Sequence, residues 1–264
     1  METGGKPYII RVSSQKGGVG KTTVAVNLAT SLALMGYKTL LYDTDFSNPS
    51  VGFHLGLEDV NIGIQSVLTK RTKLQNAIVV HDPSGMHVLP CELNTKISAI
   101  TAEQINALKS ELLREDYNFV VGDTPPGSIG PEISSLYDEA LILTTPDLPA
   151  MQSVLKLTAK YDRMHLPHSL IVNRVKHKNY ELALRDMESA YGRKALSVLP
   201  ESEIVPTSIA KHIPAVLLDQ SNPFSKNTKV LGQNYAYRTE RPTKDKPRRM
   251  GLFRRIMQLL TGRY

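Results

Sequence analysis

The chain has 264 residues and a formal net charge of +7, with 32 lysines and arginines against 25 aspartates and glutamates. Its length and its apolar content of 41% are sufficient for one large α/β domain with a buried core. The single cysteine, Cys91, excludes an intrachain disulfide and argues against an iron–sulfur carrier, because such clusters are held by several thiolates. The N-terminal METGGKPY lacks the apolar core of a signal peptide, and no apolar run approaches the roughly 20 residues that span a bilayer.

The excess positive charge is confined to the end of the chain. Residues 238–264 hold nine basic and two acidic side chains, whereas residues 1–237 hold 23 of each. Because the larger part has no net charge, attraction to an anionic surface or polymer is expected of the last segment alone.

A glycine-rich segment at 14–23, SQKGGVGKTT, separates an apolar run at 8–12 from a helical pattern at 22–35. Strand, glycine-rich turn and helix form the context in which a phosphate-binding loop is found. The glycines allow backbone N–H groups to point at phosphate oxygens, and the following helix adds the positive end of its dipole. In this arrangement Lys21 is expected to contact the β- and γ-phosphates and Thr22 to offer its hydroxyl to Mg²⁺.

Two further apolar runs end in acidic residues. The run at 39–42 precedes Asp-Thr-Asp at 43–45, and the run at 117–122 precedes Asp123. The carboxyl ends of parallel strands face the ligand crevice of a doubly wound sheet, so these carboxylates are expected near the phosphates. Asp123 then has the position of a Walker B acid, which accepts a hydrogen bond from water bound to Mg²⁺. The loop at 124–127, TPPG, is expected to begin beside the γ-phosphate.

The rest of the chain alternates between helical patterns and short apolar runs. Helices are predicted at 61–69, 101–114, 147–161 and 182–191, and strands at 87–89, 140–145, 169–172 and 195–199. Thr101 is expected to cap the second of these helices, because Gln104 three residues later completes a capping box. The alternation, with its short connections, predicts an α/β fold with a mostly parallel, doubly wound sheet that helices cover on both faces.

The glycine loop departs from the ordinary G-x-x-x-x-G-K-[ST] pattern, because Gln15 stands in place of the first glycine and an additional lysine, Lys16, follows it. This form, KGGVGKTT, is the deviant Walker motif, and over about residues 7–236 the chain resembles the MinD/ParA family of dimerising P-loop ATPases. The resemblance implies ATP and Mg²⁺ as cofactors and a homodimer in which Lys16 reaches the nucleotide of the other protomer. It also implies that Asp45 helps to hold Mg²⁺-bound water and the attacking water.

With this resemblance, the expected site residues form three sets. The catalytic set is Lys16, Lys21 and Asp45; the metal set is Thr22, Asp45 and Asp123; and the nucleotide-binding set is Lys16, Gly17, Gly18, Val19, Gly20, Lys21, Thr22, Thr23, Asn173, Pro200 and Glu201. Asn173 is assigned to adenine because the family commonly places an asparagine at this strand end, and a turn residue is the alternative. Pro200 and Glu201 lie in VLPESEIVPTSI, which resembles the family segment whose backbone lines the adenine pocket.

The C-terminal segment has two parts. Residues 238–249, RTERPTKDKPRR, are charged and contain proline, which is typical of a linker. In residues 250–264 apolar side chains at helical spacing fall within an arc of roughly 160°, with arginines opposite, as in helices that lie in a membrane interface. The predicted domains are therefore an ATPase domain at 1–237, the linker, and a membrane-targeting helix of the kind that MinD-type ATPases carry. The side chains expected to bind the membrane are Leu252, Phe253, Arg254, Arg255, Ile256, Met257, Leu259 and Leu260. A helix packed back on its own domain is the alternative.

These features predict a MinD-like ATPase, cytoplasmic and peripheral on the inner face of the cell membrane, that hydrolyses ATP slowly until a partner completes its site. ATP-driven dimerisation would join two weak membrane-binding helices, and the dimer would position an activator or cargo protein. The alternative is a ParA-like partition ATPase whose ATP dimer binds DNA non-specifically, and Gln15 and the sequence DTPP at 123–126 are closer to that type. A bacterial tyrosine autokinase is a third candidate, from DTDFSNPS at 43–50 and Tyr264, although its glycine loop differs.

Overall fold

Eight strands form one sheet within the residues that the computed structural model describes, which are 6–57, 60–95, 100–127 and 129–239. The strands are β1 (Tyr8–Ser13), β2 (Thr39–Asp43), β3 (Val79–His81), β4 (Met86–Leu89), β5 (Phe119–Asp123), β6 (Glu139–Thr144), β7 (His168–Val175) and β8 (Ser197–Pro200). Their order across the sheet is β3-β4-β2-β5-β1-β6-β7-β8. Only the edge pair β3 and β4 is antiparallel within this described sheet, which confirms the mostly parallel arrangement.

Helices cover both faces of the sheet. In the same described residues they are α1 (Lys21–Leu34), α2 (Val51–Leu55), α3 (Ile64–Leu68), α4 (Leu74–Ala77), α5 (Ala102–Leu112), α6 (Pro131–Ser134), α7 (Leu148–Arg163), α8 (Leu184–Tyr191), α9 (Ile204–Ala210), α10 (Ala215–Leu218) and α11 (Pro223–Arg238). Neighbouring strand residues point to opposite faces, so Ile9 joins one buried cluster with α5 and α7 while Ile10 joins another with α1 and α11. The doubly wound α/β prediction is confirmed.

The helix that follows Thr101 has the predicted N-terminus. The Thr101 hydroxyl accepts a hydrogen bond from the Gln104 backbone N–H (3.2 Å), and the Gln104 side-chain oxygen accepts one from the Thr101 N–H (2.9 Å). Both bonds satisfy donors that a helix start otherwise leaves without partners.

Helix α11 was absent from the sequence-based prediction, although it packs along α1. At Gly232 an added Cβ would lie 3.2 Å from Met35 Cε and 3.5 Å from Ser31 Cβ, so the absence of a side chain allows the two helices to approach closely. A glycine in a largely polar stretch lowers the expected helix propensity, which is why the sequence pattern did not indicate this helix.

Helix α11 ends at Arg238, the first residue of the predicted linker. Its guanidinium lies 3.4 Å from the carboxylate of buried Glu139 on β6, and this contact anchors the end of the helix to the sheet. The rest of the linker and the whole predicted membrane-binding helix at 250–264 lie outside the described residues. Among the helices that are described, none has the length and the apolar character needed to cross a bilayer.

Close packing between β2 and β5 depends on Gly122. This residue lies directly opposite Tyr42 in the parallel register, and Tyr42 is completely buried. A Cβ at position 122 would lie 2.6 Å from both Cζ and Oη of the tyrosine ring. The strand that carries Asp123 therefore keeps its place because the residue before the acid has no side chain.

We expect Gly122→Ala to lower the free energy of unfolding by about 1–3 kcal/mol, because the buried ring has to shift to admit the methyl group. Urea denaturation of the single variant, of Tyr42→Leu and of the double variant measures this coupling. The decrease in the free energy of unfolding caused by Gly122→Ala should be less than half as large when residue 42 is leucine. An equal cost in the two backgrounds would contradict the packing argument.

Candidate functional site

The glycine-rich loop connects β1 to α1 by turning through left-handed backbone. Gly18 has φ of 76° and Gly20 has φ of 92°, a region that other residues rarely adopt. The Ser14 hydroxyl donates to the Lys16 carbonyl (2.6 Å), and the Gly127 N–H donates to the Ser14 carbonyl (2.7 Å). The start of the loop is thus held by one contact within the loop and by one contact from the segment after β5.

The N-terminus of α1 is available for an anion. Gly20 is its N-cap and supplies no side chain to the first-turn N–H groups, and no acidic residue lies in that turn. Lys21 begins the helix and is only 8% exposed. Free N–H groups, the helix dipole and a lysine at one place are what phosphate binding requires.

Asn173, on β7, is bound to the loop. Its Nδ2 donates to the Val19 carbonyl (2.8 Å), and a Cβ at Gly20 would lie 2.5 Å from the same nitrogen. The side chain is 4% exposed, so in this structure its amide braces the loop. Its assignment to adenine stays a prediction, and the amide contact gives it a loop-bracing role that the sequence did not indicate.

A salt bridge beside Asn173 also contacts the loop. Arg174 contacts Glu201 through two nitrogen–oxygen pairs of 2.9 and 3.2 Å, and its Nη1 donates to the Gly18 carbonyl (3.1 Å). Arg174 itself has φ of 60°. Pro200 ends β8 immediately before Glu201, and Glu201 is connected to the loop through Arg174. The pair places a planar guanidinium against the loop backbone.

Thr22 and Asp123, two of the residues expected to hold Mg²⁺, contact each other directly. The Thr22 hydroxyl donates to Asp123 Oδ2 (2.5 Å) and lies 2.8 Å from the Ser50 hydroxyl. Asp123 is 1% exposed, and its other oxygen, Oδ1, has no hydrogen-bond partner among the described residues. A buried carboxylate oxygen without a donor is a suitable ligand for a cation or its water.

Asp43 adds a second buried carboxylate to the corner of the site that Thr22, Ser50 and Asp123 form. The parallel register sets it opposite Asp123, and it accepts hydrogen bonds from the backbone N–H groups of Asp45 (2.9 Å), Ser50 (3.0 Å) and Val51 (3.1 Å). Its side chain therefore shapes the turn that presents Asp45 and brings Ser50 to Thr22.

Burial raises the pKa of Asp123 above its ordinary value, and the negative charge of Asp43 raises it further. Burial likewise raises the pKa of Asp43, against the lowering effect of its three backbone donors. Two carboxylates that are costly to ionise together favour a bound cation, which stabilises both charges.

The donor set fits Mg²⁺. Among the described residues there is no group of three or more His, Cys, Asp or Glu side chains that could hold a metal ion. Mg²⁺ usually keeps several waters and takes one or two carboxylates together with phosphate oxygens. Thr22 and Asp123 are the residues that would hold it, and their oxygens are the hard ligands that Mg²⁺ prefers.

The other predicted residues lie around this centre. The Asp45 carboxylate accepts from the Asn48 N–H (3.2 Å) in the turn after β2, and Thr23 Oγ1 lies 3.3 Å from His54 Nε2. Lys16 is half exposed, with its Nζ 3.8 Å from the Asp147 carboxylate at the N-cap of α7. The catalytic role of Asp45 and the intersubunit role of Lys16 stay predictions.

Sequence reasoning named neither Asp43 nor Ser50 as a site residue. The first acid of the Asp-Thr-Asp stretch gave a usable signal, because the last residue of a buried strand is seldom charged without a structural reason. Ser50 had no such signal, since only the fold of the turn at 44–50 brings it to Thr22.

Comparisons with known proteins identify the family of the chain. A family model described as the CobQ/CobB/MinD/ParA nucleotide binding domain matches residues 10–215. Septum site-determining protein MinD of Synechocystis sp. is 30% identical over 223 residues, covering 79% of this chain and 82% of the relative. MinD of Thermotoga maritima is 28% identical over 241 residues, covering 85% and 86%.

Solved structures give the same result. MinD of Pyrococcus horikoshii complexed with Mg-ADP has a TM-score of 0.76 and 26% identity, and covers 88% of this chain and 97% of that one. MinD in the MinC:MinD complex of Aquifex aeolicus has a TM-score of 0.79 and 24% identity, with coverage of 87% and 96%, and supports the fold. A ParA family ATPase of Chlorobium tepidum, at 19% identity, has a TM-score of 0.76 and covers 86% and 98%. The chain therefore belongs to the CobQ/CobB/MinD/ParA nucleotide-binding family, whose MinD and ParA members are P-loop ATPases.

Proposed function

We propose that the protein is a Mg²⁺-dependent ATPase that dimerises with ATP, binds an anionic membrane through its C-terminal segment and positions partner proteins. The observation that carries the ATPase part is the contact between Thr22, the second residue of α1, and the buried carboxylate of Asp123. It joins the phosphate loop to the predicted cation site in one rigid corner.

Each residue of the site has a definite task in this proposal. The loop N–H groups and Lys21 hold the β- and γ-phosphates, and Thr22 and Asp123 orient the cation and its water. The cation, when bound, offsets the negative charge that develops on the phosphoryl oxygens. Asp45, in the turn after β2, is assigned to orient the attacking water. We infer slow hydrolysis until a partner completes the site, as the resemblance to the MinD/ParA family implies.

Lys16 supports the ATP-dependent dimer. Its half-exposed ammonium reaches Asp147 on its own chain at 3.8 Å, so it is anchored only weakly. A lysine beside the phosphate loop and near the surface is free to exchange that carboxylate for the phosphates of a second protomer. This exchange would make dimerisation depend on nucleotide.

The membrane part of the proposal rests on the sequence of the tail. Each basic residue near an anionic surface contributes about 1 kcal/mol, so one short amphipathic segment binds reversibly. Two segments on one dimer gain perhaps 10²-fold through effective concentration. Nucleotide state would then set the time that the protein spends on the inner face of the membrane.

Relatives support a partner protein. Several curated relatives are septum site-determining proteins, and one solved relative is a complex of MinC with MinD. We infer that this chain also acts on an activator or cargo protein, with a cytoplasmic pool exchanging with the membrane. The ParA-like alternative has its own support in Gln15 and in the DTPP sequence at 123–126, and there the partner is DNA.

Co-sedimentation with anionic vesicles tests the membrane part. We expect the full chain to sediment with ATP and to remain soluble with ADP, and a chain truncated after Arg238 to remain soluble with both. Ile256→Asn should weaken sedimentation without changing charge, whereas its matched control Gln258→Asn should not. Equal binding with ATP and ADP would contradict the proposal.

A parallel assay with DNA separates the alternatives, because ATP-dependent DNA binding that survives truncation would establish the ParA-like function.

Asp147→Asn tests the dimer part. The Asp147 carboxylate caps α7 by accepting a hydrogen bond from the Ala150 N–H (2.9 Å). Asparagine keeps an oxygen for this bond but removes the negative charge that pairs with Lys16. An exposed pair contributes roughly 0.2–1 kcal/mol and each homodimer would break two, so the dissociation constant of the ATP-dependent dimer should fall by about 2- to 30-fold. Analytical ultracentrifugation with a non-hydrolysable ATP analogue measures it, with Asp186→Asn on α8 as the control. Unchanged or weaker dimerisation would contradict the exchange of partners by Lys16.

A further inference from the structure

A buried arginine lies on β1, five residues before Lys16. Arg11 is 2% exposed, and its Nε donates to the Tyr161 hydroxyl (3.1 Å) while its Nη2 lies 3.4 Å from the Gly127 carbonyl oxygen. Its Cζ is 5.6 Å from the centre of the Tyr137 ring. All three neighbours are neutral. Within the described ranges, no carboxylate oxygen lies within 4.0 Å of this guanidinium.

Two buried carboxylates elsewhere in the protein are paired with arginines. Buried Glu92 faces Arg71 at 3.0 Å, and buried Glu139 faces Arg238 at 3.4 Å. An arginine keeps its proton in proteins, so Arg11 carries a positive charge that the described part of its surroundings does not neutralise. Buried charges are ordinarily paired, and an anion is the missing component.

Arg11 borders a cavity of about 340 Å³. Most of the lining residues are apolar, among them Leu68 of α3, Ile105 and Leu108 of α5, Ile133 of α6, and Leu136 in the segment after α6. This volume falls in the range of small-molecule sites, which combine apolar walls with a few polar groups that fix orientation. A single cation in an apolar cavity specifies a ligand with one anionic end and an apolar body.

The cavity also lies next to the proposed magnesium corner. Thr44 and Phe46, which follow β2, and Pro125, which follows β5, form part of its lining. The Thr44 N–H donates to the Asp123 carbonyl (2.9 Å), so the cavity wall and the acid share a backbone contact. A ligand in the cavity would contact the segments that follow β2 and β5, the two strands that end in Asp43 and Asp123.

We propose that this cavity binds a small organic anion with an apolar body, of the class of medium-chain carboxylates, and that its carboxylate pairs with the Arg11 guanidinium. The planar guanidinium matches a carboxylate in geometry and forms charge-assisted hydrogen bonds with it. The hydrocarbon chain lies against the leucine and isoleucine side chains of the wall. This site is separate from the phosphate loop and takes a different class of ligand.

Isothermal titration of the full chain with octanoate and with octan-1-ol tests the site, because the two probes share a chain and differ in charge. We expect the wild type to bind octanoate at least about tenfold more tightly than octan-1-ol. Arg11→Met should lose that preference. Arg185→Met, which removes an exposed arginine on α8, should retain it.

A second variant keeps the test independent of any folding defect in Arg11→Met. Ile133→Phe retains the arginine but adds volume to the wall, so it should weaken the binding of both probes about tenfold. Three results would each overturn the proposal: no octanoate binding by the wild type, equal affinity for the two probes, or a preference that survives in Arg11→Met. Binding of octanoate by Ile133→Phe at wild-type affinity would also place the ligand elsewhere and overturn it.

Discussion

The hydrogen bond from Thr22 to Asp123 is the interaction on which the rest of the site depends. It requires β1 and β5 to be neighbours, so that the loop after one strand faces the acid that ends the other. Burial makes the carboxylate costly to leave uncompensated, and its Oδ1 has no hydrogen-bond partner among the described residues, so this oxygen is available to the proposed cation. The parallel sheet would therefore form the proposed cation site before any ligand binds.

The surrounding structure holds this corner in place. Gly122 lets Tyr42 pack across β2 and β5, and Asp43 gathers the turn that carries Asp45 and Ser50. On the opposite side, Asn173 fixes the loop from β7. The phosphate loop is thus braced from three strands, whereas the Lys16 ammonium forms a half-exposed ion pair, which is weak. Rigid groups would bind nucleotide, and the loosely held lysine would be the one to change partners.

Much of the fold and of the loop could be predicted, because each depends on local sequence. Glycines followed by Lys21 and Thr22 specify a phosphate loop wherever they follow a strand, and the capping box at Thr101 is a contact between residues three apart. Helix α11 and the roles of Ser50 and Arg11 could not be predicted. Each depends on contacts between distant parts of the chain: a glycine against α1, a turn folded onto Thr22, and a strand residue beneath α7.

The central claim is that Thr22 and Asp123 make ATP binding depend on Mg²⁺, and ATP affinity measured with Mg²⁺ and with EDTA tests it most directly. The wild type should bind ATP at least about tenfold more tightly with Mg²⁺. In Thr22→Val and Asp123→Asn the gain should fall below about twofold, and in the control Thr69→Val it should persist. A wild type whose affinity is the same under both conditions, or variants that keep the full gain, would contradict the account.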